Sequence, residues 1–416
     1  MKHLSEFFAV AVMLVFAGCS YMSEPGYADR DGDYASDGYI GGESSNGGGG
    51  QQGGEAGRIT AGEWRDLDHW ELWSELMTNP DYAWNEGQEE QDKYADDYTA
   101  FSDYWGFYTD NRVAVRVVNQ SGKPLADVPV RLVKYNEGNG NTLFTGRTDN
   151  KGEVNLWLGL TQRVNEVDTS GMVIVAEGAA APAPVLVTNW NQEVKWNVIT
   201  SSEQASVAMD IAFFVDATGS MTDEIAFLKA DLQDIIQKVN TAHGDADIRT
   251  AALFYRDEGD DYVTKTSDFS SKLSTTTGFI DKQSADGGGD YPEAVHTALE
   301  VGLQQLSWRE NGCIRLAFIL LDAPPHHNDN VLQSLHQSVP QYAAKGIRII
   351  PVAASGIDKP TEFFLRFTAV STDATYVFIT NDSGIGNEHI RPTVGEYDVE
   401  LLNELIVRLI NKYLAE

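Results

Sequence analysis

Three short stretches of this 416-residue chain put carboxylates where they could do chemistry. In Asp210-Ile-Ala-Phe-Phe-Val-Asp216-Ala-Thr218-Gly-Ser220 an apolar run ends in a carboxylate, followed by hydroxyls at alternate positions. Leu320-Leu321-Asp322-Ala-Pro-Pro-His326-His327 ends a second apolar run the same way. Ala285-Asp-Gly-Gly-Gly-Asp290-Tyr-Pro292-Glu293 is a glycine loop opening a helix, with Pro292 at a first-turn position where its missing N–H costs nothing. Any one of these aspartates reads as a cap or turn residue. All three with Thr218 and Ser220 predict a single site of hard oxygen donors, which suits Mg²⁺ first, then Mn²⁺ or Ca²⁺. Glu293 and His326 are expected at its support or rim. Zinc at His326-His327 is disfavoured, because the chain offers neither an H-E-x-x-H pair nor a cysteine set.

The elements that must position these residues follow from periodicity. Ile211 to Val215 reads as a strand buried on both faces. Ile225, Leu228, Leu232, Ile235 and Val239 then recur at helical spacing. Further strands are expected at 247–255, 314–321, 347–352 and 376–380, with an antiparallel edge strand at 262–269. Helices fall near 292–306, 331–344, 360–369 and 398–414. Right-handed crossovers close this pattern into a doubly wound α/β sheet, whose carboxyl edge is where such folds bind ligands. The acidic turn Asp257-Glu-Gly-Asp-Asp261 reads as a solvated hairpin, with a secondary Ca²⁺ site as the sharper alternative.

With these motifs in view, residues 205–416 resemble a von Willebrand factor A (VWA) domain carrying a metal-ion-dependent adhesion site. The family's D-x-S-x-S motif appears as Asp216-Ala-Thr218-Gly-Ser220, and its third-loop aspartate as Asp322. In the second loop, where many members use threonine, the glycine run places Asp290, as in a subset sharing Gly-Gly-Gly-Asp-x-Pro-Glu-Ala. The resemblance implies a Rossmann-like fold and a non-enzymatic protein that binds another macromolecule through the cation. Three aspartates around a divalent ion leave a net −1 site, so tight metal retention and weak dependence on a partner's Glu or Asp are expected. Two rival readings are a metal-assisted hydrolase with His326 as general base and an envelope assembly scaffold with a structural metal.

The rest of the chain frames this domain. Met1-Lys2-His3 and the apolar run to Phe16 form a signal peptide over residues 1–18. Phe16-Ala17-Gly18-Cys19 resembles the lipobox of bacterial lipoproteins, which implies acylation at Cys19 and anchoring in the outer membrane. Residues 19–57, rich in glycine and acid, read as a flexible tether; the spacing of Asp29, Asp31, Asp33 and Asp37 fails the EF-hand pattern at Tyr34 and Ile40. Residues 58–110 form an acidic, aromatic-rich segment in which short helices such as Trp64–Met77 would pack rings onto a neighbouring domain. Residues 111–200 alternate like an antiparallel β-sandwich. Their Val-Val-Asn-Gln-Ser-Gly-Lys-Pro run and Thr148-Asp149-Asn-Lys-Gly152 turn resemble the carboxypeptidase-regulatory-like (transthyretin-like, Ig-like) module. A net charge of −32 argues against nucleic acid and anionic membrane surfaces as partners. That leaves a protein or other extracellular macromolecule at the metal site, and membrane contact through the lipid alone. With Cys19 acylated, Cys313 has no disulfide partner and reads as a small buried residue.

Overall fold

Alternating burial along the chain resolves into three sheets. In the computed structural model, which describes residues 55–80, 97–136, 139–203, 208–243, 246–386 and 389–414, the chain opens with β1 (Thr60–Trp64), α1 (Trp70–Thr78) and α2 (Tyr98–Trp105). The signal peptide, Cys19 and most of the tether lie outside the described residues. Seven short strands follow: β2 (Arg112–Val118), β3 (Pro129–Asn136), β4 (Asn139–Arg147), β5 (Glu153–Trp157), β6 (Met172–Ala176), β7 (Ala183–Pro184) and β8 (Trp196–Thr200). They make a three-stranded sheet, β5-β2-β8, and a four-stranded sheet, β4-β3-β6-β7.

Strand and helix then alternate: β9 (Ala208–Asp216), α3 (Thr222–Ala242), β10 (Ile248–Tyr255), β11 (Thr264–Ser270), α4 (Leu273–Ile280) and α5 (Val295–Gln304). They continue through β12 (Cys313–Leu321), α6 (Asp329–Lys345), β13 (Ile347–Ala353), α7 (Lys359–Ser371), β14 (Tyr376–Ile379), β15 (Glu400–Leu401) and α8 (Leu402–Leu414). The large sheet runs β11-β10-β9-β12-β13-β14-β1-β15. β10, β9, β12, β13 and β14 are parallel, while β11 and β1 pair antiparallel at its flanks. β12 and β13 are buried at every position and β9 at all but its first, as strands covered on both faces require. α3 contributes Leu228, Leu232, Ile235 and Val239 to that cover.

The chain leaves β9 for β10 on one side and returns to β12 on the other. The strand order therefore reverses between β9 and β12, and the crevice at the carboxyl ends of those two strands is where a doubly wound sheet accommodates ligands. Asp216 ends β9, and Asp322 follows the last residue of β12.

The described part of residues 58–110 joins this sheet, β1 as one of its strands and α1 and α2 packed beside it. The helix anticipated from Trp64 starts at Trp70, because Thr60–Trp64 is taken up as β1 beside β14. A buried ion pair holds the graft: Arg366 in α7 donates to Asp66 (Nε to Oδ2, 3.0 Å) and to the Tyr98 hydroxyl (2.7 Å). Trp73, Tyr98 and Phe101 surround Phe363, and Phe107 stacks on Phe367 at 4.2 Å.

The two small sheets meet the opposite, amino-terminal edge. Asp127 accepts from Arg315 Nη1 (2.8 Å) and from the Cys313 amide (3.1 Å), at the start of β12. Asp373 accepts from the Asn155 amide, and Arg348 donates to the Arg147 carbonyl (3.2 Å). Cys313 is buried here, and burial pushes its thiol up to about 12. Among the described residues no helix is long and apolar enough to cross a membrane.

Candidate metal centre

The site begins where β9 runs out. Ala217 donates its amide to the Tyr255 carbonyl of β10 (2.8 Å) and its carbonyl receives the Asp286 amide (3.0 Å). Gly219 donates to the Gly287 carbonyl (3.1 Å), so the first loop is zipped to the glycine loop. Asp216 Oδ1 accepts from the Thr218 amide (2.9 Å) and hydroxyl (2.6 Å), folding the loop back onto its own carboxylate. The Thr218 and Ser220 hydroxyls lie 3.3 Å apart. On the third loop, the Pro324 carbonyl receives the Glu293 amide (2.8 Å), with Glu293 and Pro325 bridged in parallel.

The glycine loop takes a shape only glycine tolerates. Gly287 and Gly288 have φ of +81° and +72°. Asp260, from the acidic turn after β10, accepts the Gly288 amide (2.9 Å). A Cβ at Gly287 would lie 2.4 Å from the Asp260 carboxylate oxygens. A Cβ at Gly288 would meet Glu293 Oε1 at 3.0 Å and Thr218 Cβ at 3.4 Å, so acid and threonine flank the same glycine.

The electrostatics are those of clustered acids: among the described residues His389, 3.5 Å from Glu224 Oε1, is the base paired with one of them. Asp216, Thr218, Glu224, Glu293 and Asp322 are all buried. Asp216 Oδ2, Asp322 Oδ1, Glu224 Oε2 and Glu293 Oε2 have no hydrogen-bond partner among the described residues. Burial, reinforced by Asp322, holds the Asp216 carboxyl well above the usual carboxylate range. Burial also raises Asp322, with the Ser220 hydroxyl pulling the other way and Glu224 adding to the rise. Glu293 is pushed up to about 9 by burial and by Asp216, Asp257, Asp322 and Asp260. The buried Tyr255 phenol is raised by burial and by three of the same acids, Asp216, Asp322 and Glu293. Isolated buried carboxylates cost several kcal/mol each unless a proton or a cation answers them. These donors, all hard oxygens, fit a divalent cation.

The predicted residues divide. Asp216, Thr218, Ser220 and Asp322 come together. Asp290 has an exposed side chain, and among the described residues no three His, Cys, Asp or Glu side chains are placed to hold an ion jointly. Its neighbour explains the placement. The Tyr291 hydroxyl donates to the Gly356 carbonyl (3.2 Å) and accepts from the Asp358 amide (2.9 Å), so the limb bearing Asp290 runs along the surface. Glu293, three residues on, is the acid that turns inward. His326 is engaged by Asp257 (2.6 Å) at the rim, and His327 by the Tyr104 carbonyl (2.8 Å). The roles of Asp257 and Asp260 escaped the solvated-hairpin reading, since nothing local reveals their partners. Glu224 stands in the first turn of α3, where an acid suits the helix dipole and so gives no separate signal of a site.

A family profile described as von Willebrand factor A domain matches residues 210–354. An ariadne-like RING finger protein of Acanthamoeba polyphaga mimivirus is 34% identical over 131 residues, which cover 32% of this chain and 12% of that protein. The alpha-protein kinase vwkA of Dictyostelium discoideum is 29% identical over 161 residues, covering 38% of this chain and 25% of the kinase. This chain thus spans well under two thirds of either relative.

Proposed function

Because residues 210–354 are a von Willebrand factor A domain, we propose that the chain binds another protein or extracellular macromolecule through a divalent cation held by Asp216, Thr218, Ser220 and Asp322. Domains of this family generally mediate protein interaction. One observation carries the reading. At the ends of adjacent parallel strands, Asp216 Oδ2 and Asp322 Oδ1 are buried without hydrogen-bond partners among the described residues, beside two hydroxyls on the first loop.

A bound Mg²⁺, with Mn²⁺ or Ca²⁺ as alternatives, would supply positive charge to attract an acidic group of the partner. With two carboxylates rather than three, that set is neutral overall, not −1. Dependence on an acidic partner group is therefore stronger than three aspartates would allow. Asp216 and Asp322 offset the ion, Thr218 orients Asp216 and supplies a hydroxyl, and Ser220 stands at the exposed side.

No catalytic step is assigned. A hydrolase would use His326 as base; that imidazole bonds Asp257, and no hydroxyl or thiol nucleophile bonds it among the described residues. Neither relative's name carries an activity to this chain, because the match covers a quarter or less of each protein. The two small sheets are read as a transthyretin-like sandwich acting as spacer. Residues 1–18 are read as a bacterial lipoprotein signal peptide, and Cys19 as the acylated first residue of the mature chain at the outer membrane.

Thermal unfolding of the full chain in chelator, then with Mg²⁺, Mn²⁺ or Ca²⁺, tests the site. Stabilisation by at least one ion, absent in Asp216→Ala and Asp322→Ala, is expected. No shift with any ion sinks the proposal.

A further inference from the structure

The third metal loop does not stand alone: a helix from outside the matched domain is pressed against it. The His327 ring stacks on Tyr104 at 3.7 Å and 13°, and its Nε2–H donates to the Tyr104 carbonyl (2.8 Å). His336 in α6 donates likewise to the Trp105 carbonyl (2.8 Å). These are carbonyls at the carboxyl end of α2, where the helix itself supplies no donors. Gly106 closes that end at φ +64°, and a Cβ there would lie 2.9 Å from the His336 ring.

α2 is a firm wall. Tyr98 and Trp105 are buried, Arg366 bonds the Tyr98 hydroxyl, and Trp105 Nε1–H donates to the Pro360 carbonyl (3.0 Å). Between His327 and Asp322 lie Pro324 and Pro325, whose fixed φ angles make the connection stiff. The Pro324 carbonyl is further pinned by the Glu293 amide. A constraint at His327 therefore reaches Asp322 through few soft torsions.

We propose that the Tyr104–His327 contact is a positioning device for the Asp322 loop, so that cation affinity within residues 210–354 depends on a helix from residues 98–105. This rests on the cation site proposed above. Tyr104 and His327 are positioning residues; neither needs to touch the ion. An exposed ring stack of this kind is worth roughly a three- to tenfold change in an equilibrium constant.

The test is Mn²⁺ titration of the full chain by calorimetry. It is run well below every variant's unfolding midpoint, where lost global stability does not move the reading. Tyr104→Ala and His327→Ala are expected to weaken Mn²⁺ roughly three- to tenfold. The double variant should weaken it no further than His327→Ala alone, since that variant already removes both the stack and the bond to the Tyr104 carbonyl. Tyr104→Phe, which keeps the ring, should bind like wild type. Unchanged affinity in both alanine variants overturns the inference, and so does an equal loss in Tyr104→Phe. If the wild-type chain itself binds no Mn²⁺, the cation site falls, and this inference with it.

Discussion

The two edges of the large sheet bury the same kind of residue and treat it oppositely. At the amino-terminal edge each buried acid has its cation or amide. Asp127 meets Arg315 and Arg147, Asp210 meets Arg249 and Arg309, and Asp373 meets Asn155. At the carboxyl edge Asp216, Asp322, Glu224 and Glu293 each keep an oxygen with no partner among the described residues. Arg256, at the end of β10, bonds the Ser284 carbonyl and faces Asp286 instead. Titration follows pairing with a cation rather than with an amide: Asp373, bonded by Asn155, is still raised to about 6 by burial, against the pull of Arg348 and Asn155. Burial alone would raise Asp127, yet the hydrogen bonds from Arg315 and Arg147 hold it below its ordinary value. Asp216 is raised, by burial and by Asp322. Burial alone thus separates nothing; a fixed donor on each buried oxygen, cation or amide, separates an acid that glues two layers from one left to take a mobile ion.

The largest effect should come from unpairing the first kind. Arg315→Met leaves Asp127 buried with Arg147 as its remaining charged partner among the described residues; stripping a buried charge of its partner outright costs about 3–5 kcal/mol, so about 3 kcal/mol is expected here. Urea unfolding of the full chain should show it, at neutral pH and regardless of added Mg²⁺. A loss below about 1 kcal/mol would mean the amino edge is held by packing and not by charge.

The same operation at the other edge should have the opposite sign. Asp216→Asn keeps an acceptor for the Thr218 amide and hydroxyl but removes a charge that faces Asp322. In chelator at pH 8 it should stabilise the chain by about 1–3 kcal/mol, on the scale of 1.4 kcal/mol per unit of raised pKa, while abolishing stabilisation by Mg²⁺. Destabilisation of the metal-free chain would show that the carboxylate is structurally required, and the contrast would fail.

The pH dependence follows from the same shifts. Where the folded pKa exceeds the unfolded one, the folded state holds more protons between the two values, so stability falls as pH rises through that window. For the carboxyl edge the window opens near the unfolded value of about 4 and extends to the raised value of Glu293, about 9. Metal-free unfolding midpoints should therefore decline from pH 5 to pH 8, and stabilisation by Mg²⁺ should grow over that range as ligands lose their protons. Asp127 runs the other way: its contribution is present above about pH 4 and is lost as pH falls through its lowered folded value.

Much of the sheet could be read from local pattern. The apolar run into Asp216, the hydroxyl spacing after it and the repeat of the theme at Asp322 are contiguous signals, and burial on both faces writes itself as unbroken hydrophobicity. What stayed hidden depends on partners far along the chain. Thr60–Ala–Gly–Glu–Trp64 has no strong strand character, and becomes β1 only because β14 and the Asp66–Arg366 pair, 300 residues apart, hold it there. Arg315 and Arg348 are charges inside apolar strands, yet their partners Asp127, in the loop before β3, and Arg147, at the end of β4, lie far off in sequence. In the second loop the motif pointed to Asp290. That Glu293 is the buried acid of this loop and Asp290 the exposed one goes with two positive-φ glycines, with Asp260 and with the reach of Tyr291 to residues 356–358, none of which spacing reveals.

That choice yields the smallest expected effect and the sharpest one to check. Asp290 is exposed and joins no group of metal-binding side chains among the described residues. Asp290→Ala should therefore change stability by less than about 0.5 kcal/mol, as surface substitutions do, and should leave the Mg²⁺ or Mn²⁺ midpoint within about twofold of wild type. A through-space effect survives, since an exposed acid near the rim still enriches cations locally, but it is screened within about 10 Å at 0.1 M salt. Repeating the titration at 0.5 M salt separates the two cases. A residual twofold difference that vanishes with salt is the field of a surface charge. A tenfold loss that persists would mean Asp290 swings in to complete a three-aspartate shell when the ion binds, and the site would then carry −1 rather than zero.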